Sequence, residues 1–209
     1  MAAEDKGARG GEERAEELQA MRDEAELVQR AAGDPEAFGL LYEAHYAAIL
    51  NYLYRRTLDV NAAEELTSNT FFKALRALSR YHHRMPFRAW LYRIATNEVR
   101  MRWRSWWRRR RVQVPDWEEQ LDRVHFNSLP AESPEQLREK MQAYARLHEC
   151  LSGLPDKYQT VLVLRYFEEL PIDEVAQVVG KRVGTVKSLI HRGLERMRKL
   201  MAEDGATFP

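Results

Sequence analysis

PIDEVAQVVGKRVGTVKSLIHRGLERMRKLM, residues Pro171–Met201, has the pattern of two helices joined by a tight turn. Pro171 suits a helix start, where no backbone N–H is needed. Val175, Val178 and Val179 give the short first helix an apolar side, and Ala176 is small enough for close packing. Gly180 stops it, because glycine takes the left-handed conformation after a helix end at no steric cost. A second helix is expected from about Gly184-Thr185, with Val186, Ile190, Leu194 and Met197 in one stripe. The opposite face carries Thr185, Lys187, Ser188, His191, Arg192 and Arg196, with Lys181 and Arg182 in the turn before it. These donors and cations are the chemistry that meets phosphates and major-groove base edges. A short helix, a glycine turn and a polar-faced second helix make a helix-turn-helix. Charge alone is also met by a helical hairpin whose basic face is only solvated.

Just upstream, Pro155 begins a helix with Tyr158, Val161, Leu162, Arg165, Tyr166 and Phe167, expected to be the floor on which the motif packs. Before it, Ser133-Pro134-Glu135-Gln136 has the form of a capping box. The helix it opens carries Leu137, Met141, Tyr144, Leu147, His148 and Leu151 and stops at Gly153. Residues 112–133 are punctuated by Pro115 and Pro130 and are acidic through Asp116, Glu118, Glu119, Asp122 and Glu132. They sustain no helical period and read as a linker.

Ahead of that linker the charge reverses. Between Arg84 and Arg111 there are ten arginines and one acid, Glu98. Such a run repels itself unless a polyanion is near. Trp90, Tyr92, Trp103, Trp106 and Trp107 lie within it and offer flat faces on which unstacked bases can rest, each worth ~1–3 kcal/mol. Core packing is the plainer reading for Trp90, which shares the apolar stripe Phe87, Leu91, Ile94 and Ala95. A membrane-surface helix also uses Arg with Trp.

Two further helices precede this one. Asp34-Pro35-Glu36 caps and starts the first, whose stripe is Phe38, Leu41, Tyr42, His45, Ile49, Tyr52 and Leu53, ending near Arg56. Asn61-Ala62-Ala63-Glu64 reads as a capping box for the second, which carries Leu66, Thr70, Phe71, Ala74, Leu75 and Leu78. Glu64 and Glu65 are adjacent, so they do not face each other as a catalytic pair would. His45 has no ligand partner one turn away and reads as a core or boundary histidine. His82 and His83, and His148 with Cys150, are too close in sequence for a metal site of their own. Residues 1–24, with Gly7, Gly10 and Gly11 and little apolar material, read as a mobile tail.

The totals agree with a helical, nucleic-acid-directed protein. At 209 residues, 44% hydrophobic and 31% charged, the chain can build packed cores with long solvated faces. The net charge is only +1, so a nucleic-acid surface must come from segregated charge. Cys150 is the only cysteine, which leaves no internal disulfide and suits a reducing cytoplasm. No apolar run approaches the ~20 residues of a membrane span. There is no glycine-rich phosphate loop, metal cluster or nucleophile–base constellation, so no enzyme and no cofactor is expected.

Leu154-Pro-Asp-Lys-Tyr-Gln-Thr-Val-Leu-Val-Leu-Arg-Tyr-Phe167, Glu174-Val-Ala176 and Val183-Gly-Thr-Val-Lys-Ser-Leu-Ile-His-Arg192 together resemble domain 4 of bacterial sigma factors of the extracytoplasmic-function (ECF) group. Asp34-Pro-Glu-Ala-Phe38, Glu64-Glu-Leu-Thr67, Thr70-Phe71 and Phe87-Arg-Ala-Trp-Leu-Tyr-Arg-Ile-Ala-Thr-Asn97 resemble domain 2. The resemblance implies an all-α chain of two small helical domains on a flexible acidic linker. Its parts would be a tail over 1–24, a domain 2 over 25–111, the linker 112–133, a helix-turn-helix domain 4 over 134–201, and a C-terminal tail over 202–209. It implies a non-catalytic, cytoplasmic subunit that directs core RNA polymerase to promoter DNA, with an anti-sigma factor as a further candidate partner.

By the same resemblance, Glu64, Glu65, Leu66, Ser68, Asn69 and Phe72 would dock on the clamp helices of the polymerase, and domain 4 would meet its flap. His82, His83, Arg84, Arg88, Arg93, Asn97, Arg100, Trp103 and Arg104 would recognise and melt the minus-10 element. Lys181, Arg182, Thr185, Lys187, Ser188, His191 and Arg192 would read the minus-35 element. The chain departs from the family pattern at Ser68-Asn69, where Gln-Glu is usual, and at Met101, where an Asp is common. It departs again at Leu189, taken as the middle of the DNA-facing side where a basic residue is common, and at Gly193, where Ala is usual. A helix-turn-helix regulator that acts without polymerase is the alternative, and an RNA- or membrane-binding protein using Arg84–Arg111 is a third.

Overall fold

The structure, a computed structural model, describes residues 24–82, 84–106 and 146–203. They are helical, with no strand among the described residues. The first group of helices comprises α1 (residues 24–31), α2 (Pro35–Thr57), α3 (Val60–Ala77) and α4 (Phe87–Trp106). The second comprises α5 (residues 146–152), α6 (Asp156–Leu162), α7 (Ile172–Val179) and α8 (Val183–Glu203). The proposed linker 112–133, the Ser133-Pro134 helix start and both tails fall largely outside the described residues.

Asp34 caps α2 as expected, its carboxylate accepting the Glu36 N–H at 2.9 Å with Pro35 in the first position. The Ala37 N–H, with other donors, holds the Asp34 carboxyl below its ordinary pKa. The start of α3 differs from expectation. Its cap is Asp59, not Asn61: the Asp59 carboxylate accepts the Ala62 N–H at 3.1 Å from an extended backbone. The reason is the tight corner before it, where Leu58 takes φ 54° and gives its N–H to Tyr54 at 2.8 Å. The chain re-enters a helix so soon after this corner that Asn61 is already inside it.

α2, α3 and α4 pack together. Ala37, Ala63, Ala74 and Ala95 are fully buried, so backbones approach closely around Leu41, Ile49, Leu53, Phe87 and Leu91. Tyr52 is also fully buried. The Thr96 hydroxyl spends its hydrogen on the Tyr92 carbonyl at 2.7 Å, so Tyr52 must be the donor in its own 2.7 Å bond to Thr96. His45 sits at the boundary, 2.9 Å from a Glu24 carboxylate oxygen and against the Phe87 ring.

In the second group Pro155 precedes α6 as read, and α6 and α7 both pack on α8. The run then widens into a π-helical turn, Val163–Phe167, in which the Glu168 N–H reaches the Val163 carbonyl at 3.1 Å. The extra residue in that turn shifts the register. Tyr166, expected among the floor residues, is exposed instead, while Val163 and Leu164 are buried.

The two groups are packed against each other, α7 on α4 and the π turn on α2. The two groups share one hydrophobic core cluster, and a set of ion pairs, described with the site, also joins them.

Candidate nucleic-acid interface

The turn between α7 and α8 is built by Gly180. At φ 66° and ψ 41° it closes a Schellman motif, its N–H reaching Gln177 at 3.3 Å and the Lys181 N–H reaching Ala176 at 3.0 Å. α8 restarts at Val183, one residue before the expected start. Val186 and Ile190 are buried and Leu194 and Met197 partly so, which orients the helix about its axis. Lys181, Arg182, Thr185, Lys187, Ser188, His191 and Arg192 are then all exposed. The Ser188 hydroxyl bonds back to the Gly184 carbonyl at 3.0 Å, and His191 lies 3.7 Å from Glu195.

One residue of this helix corrects the sequence reading, and another finds its reason. Leu189 is only 9% exposed and belongs to the hydrophobic core, so it is a seat of the helix and not the middle of its outer face. It follows Val186 by three positions, which puts both on the inner side. Gly193 is buried, and a Cβ there would stand 3.1 Å from Leu162 Cδ1. Close packing of α8 on α6 accounts for the missing side chain. Arg196 lies over the Tyr158 ring, 5.2 Å from its centroid.

The Arg/Trp-rich helix α4 is divided. Trp90 is half-buried against Tyr81 and Phe87, with centroids 4.9 and 5.6 Å away. Tyr92, read as a candidate base platform, is 5% exposed and part of the core. Trp103 is also packed against the core, on its edge. His82, Arg84, Arg93 and Asn97 are exposed. His83, the side chains of Arg104 and Trp106, and Trp107 lie outside the described residues.

Arg88 and Arg100 are occupied. Arg88 forms a bidentate pair with Glu174 of α7, Nε to Oε2 at 2.9 Å and Nη2 to Oε1 at 2.7 Å. Those bonds raise the Arg88 pKa above its ordinary value. Arg100 Nε stands 3.2 Å from Asp156 Oδ2 at the start of α6. Beside them Arg55 Nη1 donates to Glu168 at 2.9 Å, and the Tyr92 hydroxyl donates to the other Glu168 oxygen at 2.7 Å. Arg56, buried, reaches both Asp156 and Gln159. Burial raises the Glu168 carboxyl pKa, against the lowering effect of Arg55 and the Tyr92 bond. Burial, followed by the Glu168 charge, pushes the Tyr92 hydroxyl far up.

The outer face of α3 holds a different chemistry. Glu64, Glu65 and Ser68 are exposed, Asn69 is half-buried, and Phe72 is 59% exposed. Leu66, grouped with them by resemblance, is 4% exposed and faces the core, because it shares a stripe with Thr70. Leu75, expected inside, is 47% exposed and lies one turn from Phe72. The pair makes an apolar patch that sequence reading missed, although their spacing of three was there to be read. Arg76 lies over the Phe72 ring at 5.7 Å, and Arg102 pairs with Glu65 at 2.6 Å.

No group of three or more His, Cys, Asp or Glu among the described residues could hold a metal ion. No described helix is long and apolar enough to cross a membrane.

Two family models match the chain: Sigma-70 region 2 over residues 41–109 and Sigma-70, region 4 over residues 144–197. RNA polymerase sigma factor YlaC of Bacillus subtilis (strain 168) is 32% identical over 167 residues, covering 78% of this chain and 91% of that protein. ECF RNA polymerase sigma factor SigW of the same organism is 30% identical, covering 85% and 95%. Among solved structures, CnrH in complex with the cytosolic domain of CnrY is similar with a TM-score of 0.62 at 26% identity, covering 85% of this chain and 96% of that one. Sigma factor RpoE from Bartonella quintana, solved with the anti-sigma factor NepR, gives 0.57 at 18% identity over 79% and 96%, a likeness of fold.

Proposed function

The chain belongs to the ECF group of RNA polymerase sigma factors, non-enzymatic proteins of promoter-specific transcription initiation, and from that premise we propose how its surfaces divide the work. The α8 face of Thr185, Lys187, Ser188, His191 and Arg192, with Lys181 and Arg182, reads the minus-35 duplex from the major groove. Each good bidentate base contact there gives ~1–3 kcal/mol of discrimination. His82, Arg84, Arg93, Asn97 and Trp103, joined by Arg88, Arg100 and the uncharted His83 and Arg104, serve the minus-10 element. Tyr92, read from the sequence as a base platform, is not available for this, since its ring is in the core.

Core polymerase is met by the outer face of α3: Glu64, Glu65, Ser68, Asn69 and Phe72, with Leu75 added and Leu66 removed. The flap of the polymerase is met by the second group of helices. A protein regulator is a further partner, on the precedent of CnrH and the cytosolic domain of CnrY. The site of action is the cytoplasm, where chromosome and polymerase are.

The observation that carries this reading is the outward display of all seven α8 and turn side chains above a buried Val186-Leu189-Ile190 seat. The alternative of a regulator that acts without polymerase leaves the exposed Phe72–Leu75 patch with nothing to do. Run-off transcription with core polymerase on a promoter library is the test. Arg192→Ala should lose minus-35 dependence while still capturing core, and Phe72→Ala should lose core capture while still binding duplex. Tight duplex binding without any capture of core polymerase by the wild-type chain would overturn the reading.

A further inference from the structure

Two of the arginines assigned above to the minus-10 element, Arg88 and Arg100, are held by carboxylates of the second group of helices. The Arg88–Glu174 pair is the two-pronged geometry with which a guanidinium grips a phosphate. Asp156 is shared between Arg100 and Arg56, and Glu168 between Arg55 and Tyr92. Four arginines from α2 and α4 thus face three acids from α6, α7 and the end of the π turn. By contrast, the seven polar side chains assigned to the minus-35 duplex are all exposed and none of them enters this seam.

Resting on that functional reading, we propose that the seam is an autoinhibitory latch. Glu174 and Asp156 stand in for DNA phosphates and withhold Arg88 and Arg100 from the minus-10 strand, while the helix-turn-helix stays free to bind duplex. The latch is built to be exchanged. Arg88 is 48% exposed in its side chain against 10% for Glu174, and Arg100 32% against 45% for Asp156, so solvent and salt reach at least one partner of each pair and a polyanion can compete for the guanidinium. The asymmetry sets an order of events: duplex capture through α8 comes first. The nearby backbone charge then competes for Arg88 and Arg100 and opens the seam.

The test uses the full chain with the shape-preserving pair Glu174→Gln and Asp156→Asn, its helix content checked by circular dichroism. The probes are a labelled oligo-dT strand, a labelled random duplex, and small-angle scattering of the free protein at low salt. The expected result is a larger radius of gyration and oligo-dT binding tighter on the order of tenfold. The log–log salt slope should steepen by about 1.4, from two freed cations at about 0.7 each on a single strand. Duplex binding should stay within about twofold, and adding Arg88→Ala should cancel much of the gain. Unchanged dimensions and unchanged oligo-dT affinity would overturn the latch. Expansion without any gain in oligo-dT affinity would also overturn the withholding and would count against the minus-10 assignment. The minus-35 assignment is read separately on the duplex arm.

Discussion

At Gly193 space, and not backbone freedom, decides the residue. A Cβ would meet Leu162 Cδ1 at 3.1 Å, Leu162 Cγ at 3.3 Å and Tyr158 Cβ at 3.4 Å, and both neighbours are in the core. Alanine would gain about 1 kcal/mol of helix propensity. Forcing a carbon into a packed contact costs ~1–3 kcal/mol. Since Leu162 is fully enclosed, the second effect should win, and Gly193→Ala should lower stability by roughly 1 kcal/mol. A thermal scan checks this, and a raised Tm would show that Leu162 can yield. His148 gives a pH signature. Burial, reinforced by the Arg55 guanidinium, holds its imidazole down to about 4 from 6.5. The unfolded chain takes up this proton first, so the stability concerned is complete above pH 6.5 and is lost as pH falls to about 4, up to ~3 kcal/mol in all. His148→Leu should flatten the fall of urea stability across that window, and parallel profiles for variant and wild type would refute it. Residue types were legible in the sequence at this scale; facing was less so. Leu189 and Leu66 sit in amphipathic helices at positions where a small change in helix rotation exchanges inside for outside. Tyr92 turned inward because Glu168, distant in sequence, supplies its hydrogen-bond acceptor.

Helices α2, α6, α7 and α8 begin within a residue or two of where their Asp, Pro and Gly signals stand. Those signals act through local backbone chemistry and need no tertiary partner. α3 is the exception, because its start is set by the Leu58 corner and not by the better-looking Asn61 box. The Asp59 carboxylate satisfies an otherwise orphaned N–H, so Asp59→Ala should cost ~1 kcal/mol. Asn61→Ala, inside the helix and exposed, should be neutral or slightly stabilising by chemical denaturation. The reverse ranking would restore the Asn61 cap. The π turn was not legible at all. Nothing in Val163–Phe167 marks an extra residue per turn, and its effect, the outward swing of Tyr166 and the delivery of Glu168 to Arg55, depends on packing between distant segments. The same limit applies to the α3 face. Phe72, grouped by resemblance with the polymerase-facing residues, is exposed, and Leu75 is exposed beside it although a leucine one residue after Ala74 extends the apolar run of the sequence.

The whole molecule joins its two groups of helices by ion pairs as well as by a shared apolar core, and this makes their stabilities interdependent in a way that can be read spectroscopically. Each of the protein's five tryptophans, Trp90, Trp103, Trp106, Trp107 and Trp117, precedes the second group of helices. Tryptophan fluorescence therefore follows the first group, whereas far-ultraviolet circular dichroism follows both. If the groups were independent, a substitution in α7 could not move the fluorescence transition. Glu174→Ala removes a largely buried carboxylate from the half-exposed Arg88, a pair worth about 1 kcal/mol once solvent screening on the Arg88 side is counted. With a urea m-value of ~1–3 kcal/mol/M, the fluorescence midpoint should fall by roughly 0.5 M. Salt at about 0.5 M should shrink that shift, because a Debye length of only a few ångströms screens the wild-type pair as well. Loss of a buried apolar contact would give a shift that salt leaves intact. A midpoint unmoved by Glu174→Ala at low salt would mean that the seam carries no coupling. The two groups would then be linked through the chain alone, as the acidic stretch between them first suggested.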